Sequence, residues 1–77
     1  MQSYPYSTYL LRHVRFTIGQ KIHHFRRENR LTLNRLSILT DIPETLLDHY
    51  EVGKSDISIH HLLRIACIFG VEIKELV

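Results

Sequence analysis

The sequence predicts an all-α fold, a compact bundle of about five short helices. Apolar residues recur every three or four positions through most of the chain, which is the spacing that gives a helix one buried face. Almost nothing from residue 17 onward alternates with period two, so a sheet is not expected. A chain of 77 residues has room for one core and no second domain.

A helix is predicted over residues 18–28, where one face carries the apolar side chains Ile18, Ile22 and Phe25. Its N-cap is expected at Thr17, whose hydroxyl can accept a hydrogen bond from a free backbone N–H. The Asn29-Arg30 pair is expected to end this helix, because Asn tolerates the left-handed backbone region better than most residues.

Residues 1–16 are predicted to be an N-terminal extension of the domain formed by residues 17–77. Their apolar positions favour a helix, although residues 11–16 fit an edge strand equally well. The extension is therefore interpreted as an extra helix or as an arm for dimerisation.

Two short helices separated by a break are predicted next. Thr32 is the expected N-cap of the second helix, residues 33–40, whose apolar stripe is Leu33, Leu36 and Leu39. The break at residues 41–43 contains a proline, which disfavours helix at the residue before it and suits the start of the next helix. The third helix is predicted over residues 44–52 and stops at Gly53.

The fourth helix is predicted between Ser58, its N-cap, and Gly70, its C-terminal stop. Its buried stripe is expected to consist of Leu62, Ile65, Ala66 and Phe69. A last turn is predicted over residues 73–76.

Charge is distributed unevenly along the chain. Residues 1–40 carry a net charge of +6, and residues 41–77 carry a net charge of −4. The basic half suits a phosphate backbone or an acidic protein surface, and the alternative is a solvated cationic face that binds nothing.

Other classes of function are not expected. Adjacent histidines such as His23-His24 and His60-His61 point about 100° apart on a helix and cannot chelate one metal ion. The sequence has no Gly-rich phosphate loop, nucleophile elbow or paired catalytic carboxylates. We therefore expect no metal, no cofactor and no enzymatic activity.

A cytoplasmic location is expected from two features of the sequence. Cys67 is the single cysteine, so an intramolecular disulfide is excluded. No charged segment followed by a long apolar run indicates export, and no stretch approaches the roughly 18 apolar residues that a membrane span requires.

One set of positions carries a family resemblance: Ile18-Gly19, Ile22, Phe25-Arg26, Leu31-Thr32, Leu36-Ser37, Ile42, Leu47, Glu51, Gly53-Lys54, Ser58, Leu62, Ile65-Ala66 and Val71. In order and spacing, these positions resemble the lambda-repressor/Cro-like (XRE-type) helix-turn-helix family. The resemblance implies a lambda-repressor-like bundle in which two short helices flank a turn and the second one enters the major groove of DNA. It also implies a structural ion pair between Arg26 and Glu51, and a small residue at Ser37 where the two helices cross.

The resemblance further implies which side chains contact DNA. Base contacts are expected from Glu44, Thr45, Asp48 and His49 on the third helix. Phosphate contacts are expected from Arg26, Arg27, Arg30, Arg35, Lys54 and Ser55. The implied function is sequence-specific binding of double-stranded DNA by a small transcriptional regulator that acts as a repressor.

Several positions depart from the family pattern. Leu33 stands where the family usually has Gln, Pro43 where it has Ser, and Val52 where it often has Asn or a basic residue. Glu44 and Asp48 would also repel phosphate. These departures favour an alternative function, a protein-interaction module that presents an acidic third helix to a partner protein.

A homodimer is expected, because one such helix reads only part of a turn of DNA and a two-fold site needs two copies. Its surface is predicted to come either from the tyrosines Tyr4, Tyr6 and Tyr9 or from the C-terminal residues Ile73, Leu76 and Val77. The alternative for the tyrosines is packing against the chain's own bundle.

Overall fold

A computed structural model describes residues 8–77 as four α-helices and one short 3-10 helix, with no strand in that range. The α-helices are α1 (Thr8–Glu28), α2 (Leu33–Thr40), α3 (Glu44–Glu51) and α4 (Ile59–Phe69). The 3-10 helix (Ile73–Glu75) forms a C-terminal turn that packs on α4. The all-α prediction is confirmed, with four helices and a turn in place of about five helices.

α1 is one continuous helix of 21 residues, so the part of the N-terminal extension from residue 8 onward is helical and not an edge strand. The predicted N-cap at Thr17 is therefore wrong. Thr17 lies inside α1, and its hydroxyl donates to the main-chain oxygen of His13 at 2.9 Å. Neither Gly nor Pro occurs between residues 8 and 17, so nothing in the backbone interrupts the helix there.

The predicted caps define the remaining helix ends. The hydroxyl of Thr32 accepts from the Arg35 N–H at 3.0 Å, and that of Ser58 accepts from the His61 N–H at 3.2 Å. Gly70 ends α4 with a φ of 71°. Each of these residues acts on the backbone of its own helix end, which explains why the predicted and observed ends agree within one residue.

Two residues other than glycine adopt the left-handed backbone region. Arg30 follows α1 with a φ of 55°, and Asp41 ends α2 with a φ of 58°. Asn29 instead bonds through its side chain to the main-chain oxygen of Phe25 at 2.7 Å. The positive φ that the Asn29-Arg30 pair predicts therefore falls on the arginine.

A single core joins all four helices and the C-terminal turn. Its fully or nearly fully buried apolar residues are Ile22, Leu36, Ile42, Leu47, Tyr50, Leu62, Ile65, Ala66, Phe69 and Leu76. The predicted stripe of α4 is buried in full. The predicted stripe of α2 is wrong at Leu39, which is 41% exposed, because α2 turns Leu36 and Thr40 inward instead.

α1 and α3 pack tightly against each other at Gly19. A Cβ atom at this position would lie 2.6 Å from the main-chain oxygen of Glu51 and nearer still to that of Tyr50. Such a separation is shorter than van der Waals contact, so only glycine allows the two helices to pack at this distance.

An ion pair between Arg26 and Glu51 joins the same two helices. The Arg26 Nε donates to Glu51 Oε2 at 2.6 Å, and Nη2 donates to Oε1 at 3.0 Å. The third nitrogen, Nη1, donates to the main-chain oxygen of Leu31 at 2.8 Å. Both side chains are largely buried, with exposed fractions of 11% and 6%. The pair thus fixes α1, the turn after it and α3 in one arrangement.

A second ion pair holds the loop between α3 and α4 against α1. The Arg15 Nε donates to Asp56 Oδ1 at 2.6 Å at an exposed site. The hydrogen bond from the Arg15 guanidinium, together with its positive charge, lowers the pKa of the Asp56 carboxyl. The same hydrogen bond, together with the negative charge of Asp56, raises the pKa of Arg15. The loop is therefore anchored at one point on the surface of α1.

We expect Gly19→Ala to lower the free energy of unfolding by about 1–3 kcal/mol, because the added methyl group forces α1 away from α3. The loss should appear even though alanine is the better helix former by about 1 kcal/mol. Urea denaturation measures the change. Gln20→Ala, on the exposed face of the same helix, is the control and should change stability by less than about 0.5 kcal/mol.

We expect Arg26→Met and Glu51→Met each to cost about 3 kcal/mol, because each removes one partner of a largely buried ion pair. In Arg26→Met, Glu51 keeps only His23, whose Nδ1 lies 2.9 Å from Oε1. The double variant should lose less than the sum of the two, since neither charge then remains. Thermal and urea unfolding of the four proteins gives the coupling energy. Arg27→Met is the exposed control, and strictly additive losses would contradict the pairing.

The pKa of Asp56 should lie below the ordinary aspartate value, and Arg15→Met should restore it. Because the pKa is lower in the folded state, the ion pair stabilises the fold above the ordinary aspartate pKa and loses that effect as the pH falls through the folded value. Side-chain NMR titration measures both proteins. An unchanged Asp56 pKa in Arg15→Met would contradict this account.

Candidate nucleic-acid interface

α2 and α3 form a bent helix pair around the turn at residues 41–43. The Ser37 hydroxyl donates to the main-chain oxygen of Ile42 at 2.5 Å and so holds the turn against α2. Ile42 itself is buried beside Leu36 and Leu47. Ser37 therefore does more than leave space for a close crossing, because its hydroxyl also determines the path of the turn.

The inner face of α3 is fixed by its contacts. Leu47, Tyr50 and Glu51 are buried, and the Tyr50 hydroxyl lies 2.7 Å from His61 Nδ1 on α4. Burial raises the pKa of Tyr50. With α1 holding Glu51 and α4 holding Tyr50, α3 cannot rotate about its axis.

The opposite face of α3 is exposed to solvent. Glu44, Thr45 and Asp48 are exposed and His49 is half-buried, so the structure brings the four predicted base-contacting residues together on one side. Val52 extends this face beyond the end of the helix and is exposed as well. The face carries two carboxylates and no lysine or arginine.

A shallow depression lies where this face meets the start of α2. It is lined by Leu33, Glu44, Thr45 and Asp48. The side-chain amide of Asn34 donates to Glu44 Oε1 at 3.2 Å across the two helices. Asn34 was not among the residues predicted from the sequence. The one feature that could have indicated it is its position in the first turn of α2, the end of that helix nearest Glu44.

The predicted phosphate-contacting residues fall into two groups. Arg27, Arg30, Arg35 and Lys54 are exposed, and Ser55 is half-buried. Arg26 differs from them, because all three of its guanidinium nitrogens are bonded to Glu51 or to the main chain of Leu31. The sequence predicts both an ion pair and a phosphate contact for Arg26, and the geometry favours the ion pair because no guanidinium nitrogen lacks an intramolecular acceptor.

The two surfaces predicted for dimerisation have different environments. Leu76 is fully buried and Ile73 packs against the core, so of the three predicted C-terminal residues only Val77 is exposed. The prediction of an apolar dimer surface formed by all three is therefore wrong. Tyr9 is 81% exposed, which excludes packing of that tyrosine against its own bundle. Tyr4 and Tyr6 lie outside the described residues.

Neither a metal cluster nor a membrane span is found in the described part of the chain. Across residues 8–77, no three His, Cys, Asp or Glu side chains are grouped as metal ligands. In the same range, no helix is both long and apolar enough to cross a membrane.

Comparison with known proteins agrees with this geometry. A model of the helix-turn-helix family HTH_3 matches residues 22–76, which include α2, the turn and α3. The fold is similar to that of the restriction-modification controller protein C.AhdI from Aeromonas hydrophila, with a TM-score of 0.78 and 22% identity over 82% of this chain and 96% of that one. No curated protein matches the sequence. Because the family model covers more than half of the chain, the protein belongs to the helix-turn-helix family, of the XRE type that its sequence resembles.

Proposed function

We propose that the protein is a transcriptional regulator that binds double-stranded DNA and inserts α3 into the major groove. The observation that carries the proposal is the outward face of α3, which is largely exposed to solvent while its inner face is held by Arg26 and His61. A rigid helix with one solvated face is what groove reading requires. Membership in a family of DNA-binding regulators supports the same function.

The proposed contacts are divided by their chemistry. Glu44, Thr45, Asp48 and His49 face base edges, because they lie on the outward side of α3. Arg27, Arg30, Arg35, Lys54 and Ser55 contact phosphates, because they are cationic or hydrogen-bonding groups outside that face. The Thr32 hydroxyl caps the Arg35 N–H, and the N–H groups before it at the start of α2 can donate to a phosphate.

We propose further that two copies bind one two-fold DNA site, with their α3 helices about 34 Å apart. Of the two dimer surfaces that the sequence suggests, the first turns of α1 around Tyr9 retain exposed apolar side chains. Repression is the simplest regulatory outcome, because occupying a promoter requires no further contact. The description of C.AhdI as a restriction-modification controller is consistent with a regulatory role.

An acidic outward face on α3 also supports a second candidate function, binding to a partner protein. Glu44 and Asp48 repel phosphates, and Leu33 and Val52 place apolar surface beside them. A partner with a basic, partly apolar surface would complement this face. The two functions differ in one measurable property, the dependence of DNA affinity on salt.

We expect the affinity for a mixed-sequence duplex to fall steeply between about 50 and 200 mM salt, because each phosphate contact releases counterions. Fluorescence anisotropy gives the slope of log affinity against log salt. Lys54→Gln and Arg30→Gln should each make this slope shallower by about 0.9 for each phosphate that the variant no longer neutralises.

Lys74→Gln is the matched control, because Lys74 is an exposed lysine on the C-terminal turn, away from α2 and α3. It should leave the slope unchanged. Negligible binding at low salt, or a slope that no variant alters, would refute groove binding and favour the protein-interaction function.

A further inference from the structure

The outward face of α3 offers hydrogen-bond acceptors where many groove-reading helices offer donors. Its exposed side chains in the first two turns are Glu44, Thr45 and Asp48. α3 contains no Arg, Lys, Asn or Gln, so it lacks the bidentate donor that recognises guanine and the amide that recognises adenine. Apart from the half-buried His49, whose ring can donate a hydrogen bond, the outward face of α3 presents negative charge beside the hydroxyl and methyl groups of Thr45.

Base edges in the major groove differ in how they meet such a face. Guanine presents only acceptors, and thymine presents an acceptor beside its methyl group, so a carboxylate is repelled at both. Adenine has an amino group, but the N7 acceptor lies next to it. Cytosine presents its N4 amino group beside the apolar C5 edge, so an acceptor, the O6 of the paired guanine, lies on one side only. The adenine amino group has acceptors on both sides, its own N7 and the O4 of the paired thymine.

The local geometry matches that arrangement at Glu44. The Asn34 amide holds one carboxylate oxygen at 3.2 Å, which restricts the side chain to the rim of the depression. Leu33 and the methyl group of Thr45 supply apolar surface beside it, and Asp48 adds a second acceptor one turn further along. A fixed acceptor next to apolar surface complements an amino group next to a C–H edge.

Resting on the proposed groove-binding function, we infer that α3 selects cytosine through Glu44 and Asp48, with Asn34 as the positioning residue for Glu44. Each carboxylate accepts from the N4 amino group of a cytosine on the contacted strand. The same charges weaken binding to every sequence that lacks an amino group there, because they approach phosphates and base acceptors without compensation. Selectivity is therefore achieved largely by penalising wrong sequences.

Selection of bound sequences from a random duplex pool tests this inference. We expect wild-type protein to enrich cytosine at two positions of the half-site, by about tenfold over other bases. Glu44→Gln should change one of these preferences from cytosine to adenine, because an amide can pair with adenine N6 and N7. Asp48→Asn should change the other, and Asn34→Ala should weaken only the preference set by Glu44.

Affinity for a mixed-sequence duplex provides a second readout. Glu44→Gln and Asp48→Asn should bind it at least as tightly as wild type, since each removes a charge that repels phosphate. Asp41→Asn is the matched control, because it makes the same acid-to-amide change at an exposed residue on the turn, outside the depression. It should alter neither readout.

The outcomes separate the inference from the function on which it rests. Salt-dependent binding without enriched C·G pairs, or with a base preference that Glu44→Gln and Asp48→Asn leave unchanged, would overturn cytosine selection and leave groove binding intact. Absence of duplex binding for all variants at low salt would overturn both. Circular dichroism spectra that match the wild type establish that each variant is folded.

Discussion

The close contact between α1 and α3 determines the rest of the structure. At Gly19 the two helices approach so closely that no side chain fits, and at Arg26 a guanidinium crosses the remaining gap to Glu51. A steric constraint at Gly19 and an electrostatic constraint at Arg26 thus both act on the C-terminal end of α3. Together they set which face of α3 is buried, and the outward position of Glu44, Thr45 and Asp48 follows from that choice.

Helix boundaries were predictable wherever a polar side chain or a glycine acts on its own backbone. Thr32, Ser58 and Gly70 each determine an end through a hydrogen bond or a positive φ. Thr17 shows the limit of this reasoning, because the same hydroxyl can cap a helix or bond back to the preceding turn. The hydroxyl bonds back to the preceding turn when the residues before it are helical, and it caps the helix when they are not. A capping residue such as threonine does not itself indicate which conformation the preceding residues adopt.

Side-chain roles were less predictable, because they depend on neighbours distant in the chain. Leu39 and Thr40 are adjacent, and only the position of α4 decides that the threonine faces inward. The family resemblance implies both an ion pair and a phosphate contact for Arg26, and only the observed distance to Glu51 separates this arginine from the exposed ones. The hydrogen bond from Asn34 to Glu44 depends on how α3 packs beside α2, which the residues around Asn34 do not indicate.

The left-handed backbone conformation at Arg30 has a conformational cost that another residue would avoid. A φ of 55° costs a residue with a Cβ roughly 1–2 kcal/mol, which glycine would avoid entirely and asparagine in part. Yet the chain keeps a cation there, immediately before the amino end of α2. A glycine at this position would relieve the strain but would also remove a positive charge from the surface beside α2 and α3. Fold stability and positive surface charge therefore oppose each other at this one residue.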